Sequence, residues 1–91
     1  MAQDPSDVLR RVAANVGALR QLRGLTQDEL AEAADLDIRR VQRVERAEVD
    51  VGLVALSALA DALDVPPGRL FRPATFEVPR KGRPSKIRRR L

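Results

Sequence analysis

Four arginines and a glutamine lie within eight positions of one another near the middle of the chain. They are Arg39, Arg40, Gln42, Arg43 and Arg46. Arginine can donate two parallel hydrogen bonds to a guanine edge, glutamine can pair similarly with adenine, and both side chains bind phosphate. Glu45 is the only carboxylate among them. The stretch therefore favours contact with a nucleic acid over acid–base chemistry.

The composition excludes most catalytic chemistry. The chain has 91 residues with no cysteine and no histidine, which removes disulfides, thiolate nucleophiles, histidine bases and the usual zinc sites. The sequence shows no nucleophile–base pattern and no glycine-rich phosphate loop. We therefore expect no enzyme, no metal, no cofactor and no small-molecule ligand. Because no apolar run approaches the roughly 20 residues that span a bilayer, we expect a soluble, cytoplasmic protein without membrane contact.

Charge is divided unevenly along the chain. Residues 1–78 contain 10 basic and 13 acidic side chains, whereas residues 79–91 contain seven basic side chains and no acid. This separation is typical of a folded body with a basic tail that binds a polyanion, although a terminal basic run can equally be a solvated end. The tail residues expected to contact DNA are Arg80, Lys81, Gly82, Arg83, Lys86 and Arg88.

Apolar residues recur at helical spacing on both sides of the arginine stretch. A first helix is indicated by four of them, three or four residues apart: Val8, Val12, Val16 and Leu19. Thr26 and Glu29 form a capping-box pattern that opens a second helix. Two further helices are predicted after the arginines, one over 53–63 and a short one that begins at 66–67 and ends near 70–71.

The arginine stretch itself is predicted to be the third helix. Asp37 can cap its start, and Val41 and Val44 are spaced by three along its inner face. Arg39 and Arg43 then face outward, about one turn apart. Because only residues 35–37 separate this helix from the second, the two must cross steeply, as in a helix-turn-helix.

These signals predict an N-terminal arm over 1–7, a helix-turn-helix domain over 8–72 and an extended basic tail over 73–91. The boundary follows a change of composition to Pro, Arg and Lys beyond residue 72. Polar and apolar residues alternate over 75–78, which favours a short strand. The predicted fold class is all-α, a compact five-helix bundle containing a helix-turn-helix.

Two stretches carry a known pattern: Leu19-Arg20-x-x-Arg23-Gly24-Leu25-Thr26-Gln27-x-Glu29-Leu30-Ala31 and Val41-x-Arg43-Val44-Glu45-Arg46. With the helix lengths, they make residues 8–71 resemble the Cro/phage-repressor (Xre-type) helix-turn-helix family. The resemblance implies a lambda-repressor-like fold and a transcriptional regulator that binds double-stranded DNA. Stand-alone relatives of this size include controller proteins of restriction–modification systems, phage repressors and antitoxin-type autoregulators.

The resemblance also implies which residues contact bases. The two residues that open the recognition helix and one a turn later match Ile38, Arg39 and Arg43. Ile38 cannot hydrogen-bond a base edge, but it can contact a thymine methyl. In the family the glutamine that opens the second helix binds the DNA backbone, and Gln27 occupies that position.

The remaining polar residues of the motif are assigned other roles. Arg40, Gln42 and Arg46 are expected to make phosphate or backbone contacts. In the family an arginine late in the first helix forms a buried salt bridge with a glutamate near the end of the third, and Arg20 and Glu45 match these positions. That pair is expected to hold the motif together rather than to contact DNA.

Two features depart from the family pattern. Ala47 stands where relatives usually have glycine, at a turn that needs a positive φ. The following loop carries Glu48 and Asp50 where relatives usually offer basic or polar groups to a phosphate. The body therefore lacks positive charge for DNA binding, and the tail is expected to supply it.

Within the tail, the segment Arg80-Lys81-Gly82-Arg83-Pro84 resembles the AT-hook, which lies extended in the minor groove of A/T-rich DNA. That resemblance implies that Lys81 and Arg83 point into the groove. The alternative is generic phosphate binding by the basic residues, which needs no base preference.

A homodimer on an inverted repeat is expected, because one recognition helix makes too few base contacts for tight specificity. The expected dimer surface is apolar: Leu70, Phe71, Phe76 and Val78. The alternative hypothesis is a protein-interaction module, antitoxin-like or a co-regulator, whose tail alone binds nucleic acid without sequence specificity. The acidic balance of the body favours this alternative, and the arginine pattern favours the regulator.

Overall fold

Residues 4–73 are those described by the computed structural model, and they form four α-helices and one 3₁₀ helix. The helices are α1 (Pro5–Leu22), α2 (Gln27–Ala34), α3 (Ile38–Glu45), α4 (Leu53–Ala62) and the 3₁₀ helix (Pro67–Phe71). The predicted all-α class is confirmed. The fifth predicted helix is a 3₁₀ segment, a form that proteins use in short pieces such as this one. None of the helices in the described part of the chain is long and apolar enough to cross a membrane.

α1 begins one turn before the apolar spacing that indicated it. Asp4 is its N-cap, since a carboxylate oxygen accepts a hydrogen bond from the Ser6 N–H at 3.1 Å, and Pro5 is the first helical residue. The hydrogen bonds from Ser6 lower the pKa of Asp4 below its usual value. Residues 5–7, predicted to belong to an N-terminal arm, are thus the first turn of α1, and a boundary at residue 8 falls inside the helix.

Local caps define the starts of α2 and α3, as the sequence indicated. The Thr26 hydroxyl accepts from the Glu29 N–H at 3.0 Å, and the Glu29 carboxylate accepts from the Thr26 N–H at 2.8 Å, which completes the capping box. The Asp37 carboxylate accepts from the Arg40 N–H at 3.1 Å. These bonds satisfy backbone donors that have no partner inside their own helix.

All five helices contribute to one aliphatic core. Its largest fully buried apolar side chains are Val16, Leu30, Val41, Val44, Leu59, Leu63 and Leu70. Each such side chain stabilises the fold by about 1.5–3 kcal/mol on burial. Leu70 is therefore a core residue, and the prediction that it lies on a dimer surface is wrong.

One polar side chain, Asn15, is fully buried on the inner face of α1. Its amide nitrogen donates to the carbonyl oxygens of Leu70 and Arg72, both at 2.8 Å. These bonds tie the 3₁₀ helix and the residue after it to α1. The sequence does not indicate this role, because the partners of Asn15 are backbone groups more than fifty residues away.

Candidate nucleic-acid interface

The turn between α2 and α3 fixes how α3 is presented. Asp35 ends α2 with a φ of 59°, in the left-handed region that aspartate tolerates better than most residues. The Leu36 N–H then donates to the Ala31 carbonyl at 2.8 Å, and the Leu36 side chain packs against the core. Asp37 caps α3 immediately afterwards. The three-residue turn thus places α3 along the surface of the protein.

α3 has one buried face and one exposed face. Val41 and Val44 are only 0% and 1% exposed. Arg39 and Arg43 are exposed, and Ile38 is 37% exposed in the first turn. All three residues assigned to base contacts are therefore exposed to solvent on α3. Such a helix can enter a major groove and present guanidinium groups to base edges.

The α3 residues assigned to phosphate contacts lie in different environments. Arg40 donates from Nη2 to the Val51 carbonyl oxygen at 2.9 Å, so its side chain lies along the loop that follows α3. A guanidinium carries five donors, and this bond leaves others for a phosphate. Gln42 is half-buried, whereas Arg46 is exposed as the C-cap of α3.

Arg20, Gln27 and Glu45 meet in one polar cluster, which joins α1, α2 and α3. Arg20 donates from Nε to Glu45 Oε2 at 2.7 Å and from Nη2 to Glu45 Oε1 at 3.2 Å. Its Nη1 donates to the Leu25 carbonyl oxygen at 2.8 Å. Gln27 donates from Nε2 to Glu45 Oε1 at 3.1 Å. Gln27, assigned to the DNA backbone, therefore donates to the same carboxylate as Arg20, whose ion pair with Glu45 was assigned to the fold.

Acidic side chains are exposed in the segments that precede and follow α3 in the chain. Glu48 and Asp50 are exposed in the loop after α3, and Asp28 and Glu29 are exposed in the first turn of α2. Exposed carboxylates near a DNA-binding helix repel phosphates. The charge around α3 is thus mixed, with its arginines as the attractive component.

Residues 16–70 match the helix-turn-helix family HTH_3. The matched span covers more than half of the chain and includes α2, α3 and the turn between them. The chain belongs to this family. It is a DNA-binding transcriptional regulator of the Xre/Cro type and not an enzyme, which confirms those predictions.

Solved structures with a similar fold include three bacterial proteins. The restriction-modification controller protein C.AhdI from Aeromonas hydrophila is 40% identical, with a TM-score of 0.68 over 69% of this chain and 96% of its own. The hypothetical transcription factor NHTF from Neisseria is 32% identical, with a TM-score of 0.72 over 80% of this chain and 84% of its own. The clp gene regulator ClgR from Corynebacterium glutamicum shares the fold at 24% identity, with a TM-score of 0.66 over 69% of this chain and 67% of its own. No curated protein matches the sequence.

Three large apolar side chains of α4 and the 3₁₀ helix are exposed, and only one of them was predicted to lie on an interface. Phe71 is 41% exposed, and the missed residues Leu53 and Val54 are 79% and 86% exposed in the first turn of α4. Leu53 and Phe71 line an apolar groove of about 230 Å³, together with Val8 and Leu9 of α1. The sequence gives no sign of this groove, because Leu53 and Val54 continue the apolar run of α4.

The other predicted sites fall beyond residue 73 and so lie outside the described residues. They include the two remaining dimer-surface candidates and the strand at 75–78. They also include the tail positions assigned to DNA: Phe76 and Val78 for the dimer, and Arg80, Lys81, Gly82, Arg83, Lys86 and Arg88 for DNA.

Proposed function

We propose that the protein binds as a homodimer to an inverted-repeat DNA site, with α3 of each protomer in the major groove. The observation that carries the proposal is the exposure of Arg39 and Arg43 on α3, whose valines are buried. The two arginines pair with base edges, and Ile38 contacts a thymine methyl. Two α3 helices related by a two-fold axis, about 34 Å apart, double the number of base contacts.

Phosphate contacts set the position of α3 in the groove. Gln27, Arg40, Gln42 and Arg46 make these contacts around the recognition helix. The basic tail, residues 79–91, adds phosphate or minor-groove contacts and offsets the acidic loop after α3. We place the protein in the cytoplasm, at the nucleoid.

The apolar groove supports the dimer. Leu53, Val54 and Phe71 are large apolar side chains that a small monomeric domain has little reason to expose. A second copy seated over the groove removes Leu53 and Phe71, which line it, from water. Leu53 and Val54 take the place of Leu70 in the proposed interface, and Phe71, Phe76 and Val78 remain in it.

The acidic surface favours a second candidate function. In this alternative the helical body binds a protein partner through its carboxylates, Glu48 and Asp50 among them. Residues 79–91 alone then bind nucleic acid, without sequence preference. The two functions differ in whether α3 determines which DNA is bound.

Selection of bound sites from random DNA tests the proposal. We expect a palindrome, and an Arg39→Ala/Arg43→Ala variant should lose base preference by about 1–3 kcal/mol for each lost bidentate contact. Arg39→Lys/Arg43→Lys is the matched control, because it keeps the charge and removes the fork-shaped donor geometry. It should also lose base preference, while the salt dependence of binding is retained. A wild-type protein that selects no palindrome, with an affinity unchanged in both variants and lost when residues 79–91 are removed, would favour the second candidate function.

A further inference from the structure

The Glu45 carboxylate connects the interior of the protein with its proposed DNA-facing surface. Its Oε1 accepts one hydrogen bond from Arg20 Nη2 at 3.2 Å and another from Gln27 Nε2 at 3.1 Å. Arg20 is on α1, and Gln27 is the first residue of α2. A single carboxylate at the end of α3 therefore fixes side chains from two other helices.

This bond constrains the rest of the Gln27 side-chain amide. The amide group is planar, so a fixed first N–H restricts the directions of the second N–H and of the carbonyl oxygen. The charge on Glu45 makes the bond about twice as strong as a neutral one. Within residues 4–73, the second N–H and the carbonyl oxygen of Gln27 have no partner. The amide is thus held on one side and available for a ligand on the other.

Arg20 compensates the negative charge of Glu45, which lies close to the proposed DNA-facing surface. An unpaired carboxylate close to DNA repels phosphate. Two N–H groups of Arg20 compensate the charge of Glu45, and the two side chains are only 14% and 11% exposed. The Gln27 amide therefore lies beside a compensated carboxylate, and the negative charges left in this turn of α2 are those of Asp28 and Glu29.

We propose that Glu45 is a positioning residue for DNA binding: it orients the Gln27 amide towards a backbone phosphate, and Arg20 keeps its charge from repelling that phosphate. This inference rests on the proposed function and gives Glu45 a task beyond the structural salt bridge. A purely structural Glu45 would stabilise the fold and leave the contribution of Gln27 to affinity unchanged. The two roles therefore predict different couplings.

A double-mutant cycle on DNA affinity measures this coupling. Removing Glu45 alone leaves Arg20 as an unpaired charge and threatens the fold, so the background variant is Arg20→Met/Glu45→Met, in which both charges become apolar side chains. Gln27→Ala is made in the wild-type protein and in this background. Gln42→Ala is the matched control, because Gln42 has no bond to Glu45 within residues 4–73. The Kd for a site selected from random DNA is measured where circular dichroism shows every variant folded.

We expect Gln27→Ala to weaken binding about tenfold in the wild-type protein and less than about threefold in the Arg20→Met/Glu45→Met background. Only in the wild-type protein is the amide held towards the phosphate, so only there does the substitution remove a well-aligned hydrogen bond to a charged group. Gln42→Ala should have the same effect in both. An equal effect of Gln27→Ala in both backgrounds overturns the positioning role. Failure of the wild-type protein to select any DNA sequence would contradict the proposed function itself, and this inference with it.

NMR on the wild-type protein provides a measurement that needs no variant. The Gln27 side-chain amide should be more ordered than that of Gln42, with one of its two protons protected from exchange with water. This test applies equally if the Arg20→Met/Glu45→Met variant does not fold. Freely averaging amide protons at Gln27, in a protein that binds its selected site, would overturn the positioning role alone.

Discussion

Ala47 follows α3 with a φ of 59°, a conformation in which its methyl group crowds a neighbouring carbonyl oxygen. The turn around it is well bonded. The Ala47 N–H donates to the Val44 carbonyl at 3.0 Å, and the Glu48 N–H donates to the Arg43 carbonyl at 2.9 Å. These bonds satisfy carbonyls at the end of α3 and hold Ala47 in the left-handed region. The strain is therefore confined to one residue next to the proposed recognition helix.

We expect Ala47→Gly to raise the free energy of unfolding by about 0.5–1 kcal/mol, because relief of left-handed strain exceeds the added entropy of glycine in the unfolded chain. Thermal melting followed by circular dichroism should show a rise of several degrees. Ala33→Gly is the matched control, since Ala33 is exposed within α2 and the same change there removes helix propensity. A lower melting temperature for Ala47→Gly would refute the strain at this position.

Asn15 provides a second prediction for a single residue. Asn15→Ala leaves the carbonyl oxygens of Leu70 and Arg72 without their donor, and we expect the free energy of unfolding to fall by about 2 kcal/mol. The loss is moderated because Asn15 Oδ1 has no partner within the described residues, so its removal relieves one buried unsatisfied group. Chemical denaturation measures the change, with the exposed Ser57→Ala on α4 as the control of unchanged stability. Unaltered stability of Asn15→Ala would show that these bonds contribute nothing net.

Among the helices, the starts and inner faces of α2 and α3 were predictable because they depend on neighbouring residues. The capping box of Thr26 and Glu29 and the cap at Asp37 operate within three positions, so the sequence displays them directly. The position of the 3₁₀ helix was predicted, but its packing was not. Its packing depends on α1, and the burial of Leu70 follows from long-range contacts that no local pattern contains.

In the candidate site, too, only the features that depend on neighbouring residues were predictable. The outward direction of Arg39 and Arg43 followed from the buried valines, because helical periodicity relates one face to the other. The bond from Arg40 to Val51 and the bond from Gln27 to Glu45 join different parts of the chain. Periodicity carries no information on such pairs, so only the structure connects Gln27 with the ion pair.

Gly17 lies where α1 packs against α3, and the space there admits a methyl group. It lies inside α1, and a Cβ added there would be 3.6 Å from Glu45 Oε1, an ordinary van der Waals distance. We expect Gly17→Ala to raise the free energy of unfolding by about 0.5–1 kcal/mol through helix propensity, without changing DNA affinity. Gly24→Ala is the contrasting control, because a φ of 73° strains any side chain there and should lower the melting temperature. Destabilisation by Gly17→Ala would mean that the Glu45 carboxylate has no room for a methyl group.

For the whole molecule, the proposed dimer can be tested by placing a charge in the apolar groove. Leu53→Asp should shift the protein from dimer to monomer in analytical ultracentrifugation and weaken DNA binding at low protein concentration, because a carboxylate would be buried without a partner. Folding should be little affected, since Leu53 is 79% exposed in the protomer. Leu22→Asp is the matched control: Leu22 is 66% exposed at the opposite end of α1 from the groove. A wild-type protein that remains monomeric on DNA would contradict the dimer.

The separation of charge along the chain determines how salt should affect binding. Residues 1–78 carry more acidic than basic side chains, so attraction to DNA at long range depends on the seven basic residues of 79–91. Each phosphate neutralised contributes about −0.9 to the slope of log Kobs against log salt concentration, so removing residues 79–91 should flatten the slope by up to about six. Base preference should persist, because α3 is unchanged.

A scrambled order of residues 79–91 separates the two hypotheses for the tail. It keeps all seven basic side chains, so generic phosphate binding predicts an unchanged salt slope and unchanged flanking preference. An AT-hook-like segment requires Gly82 between Lys81 and Arg83, so scrambling should abolish a preference for A/T-rich flanks while the slope stays steep. Both outcomes are measured with one set of DNA duplexes differing only in their flanks. A slope that does not change when residues 79–91 are removed would show that the arginines of the helical body bind DNA without the tail.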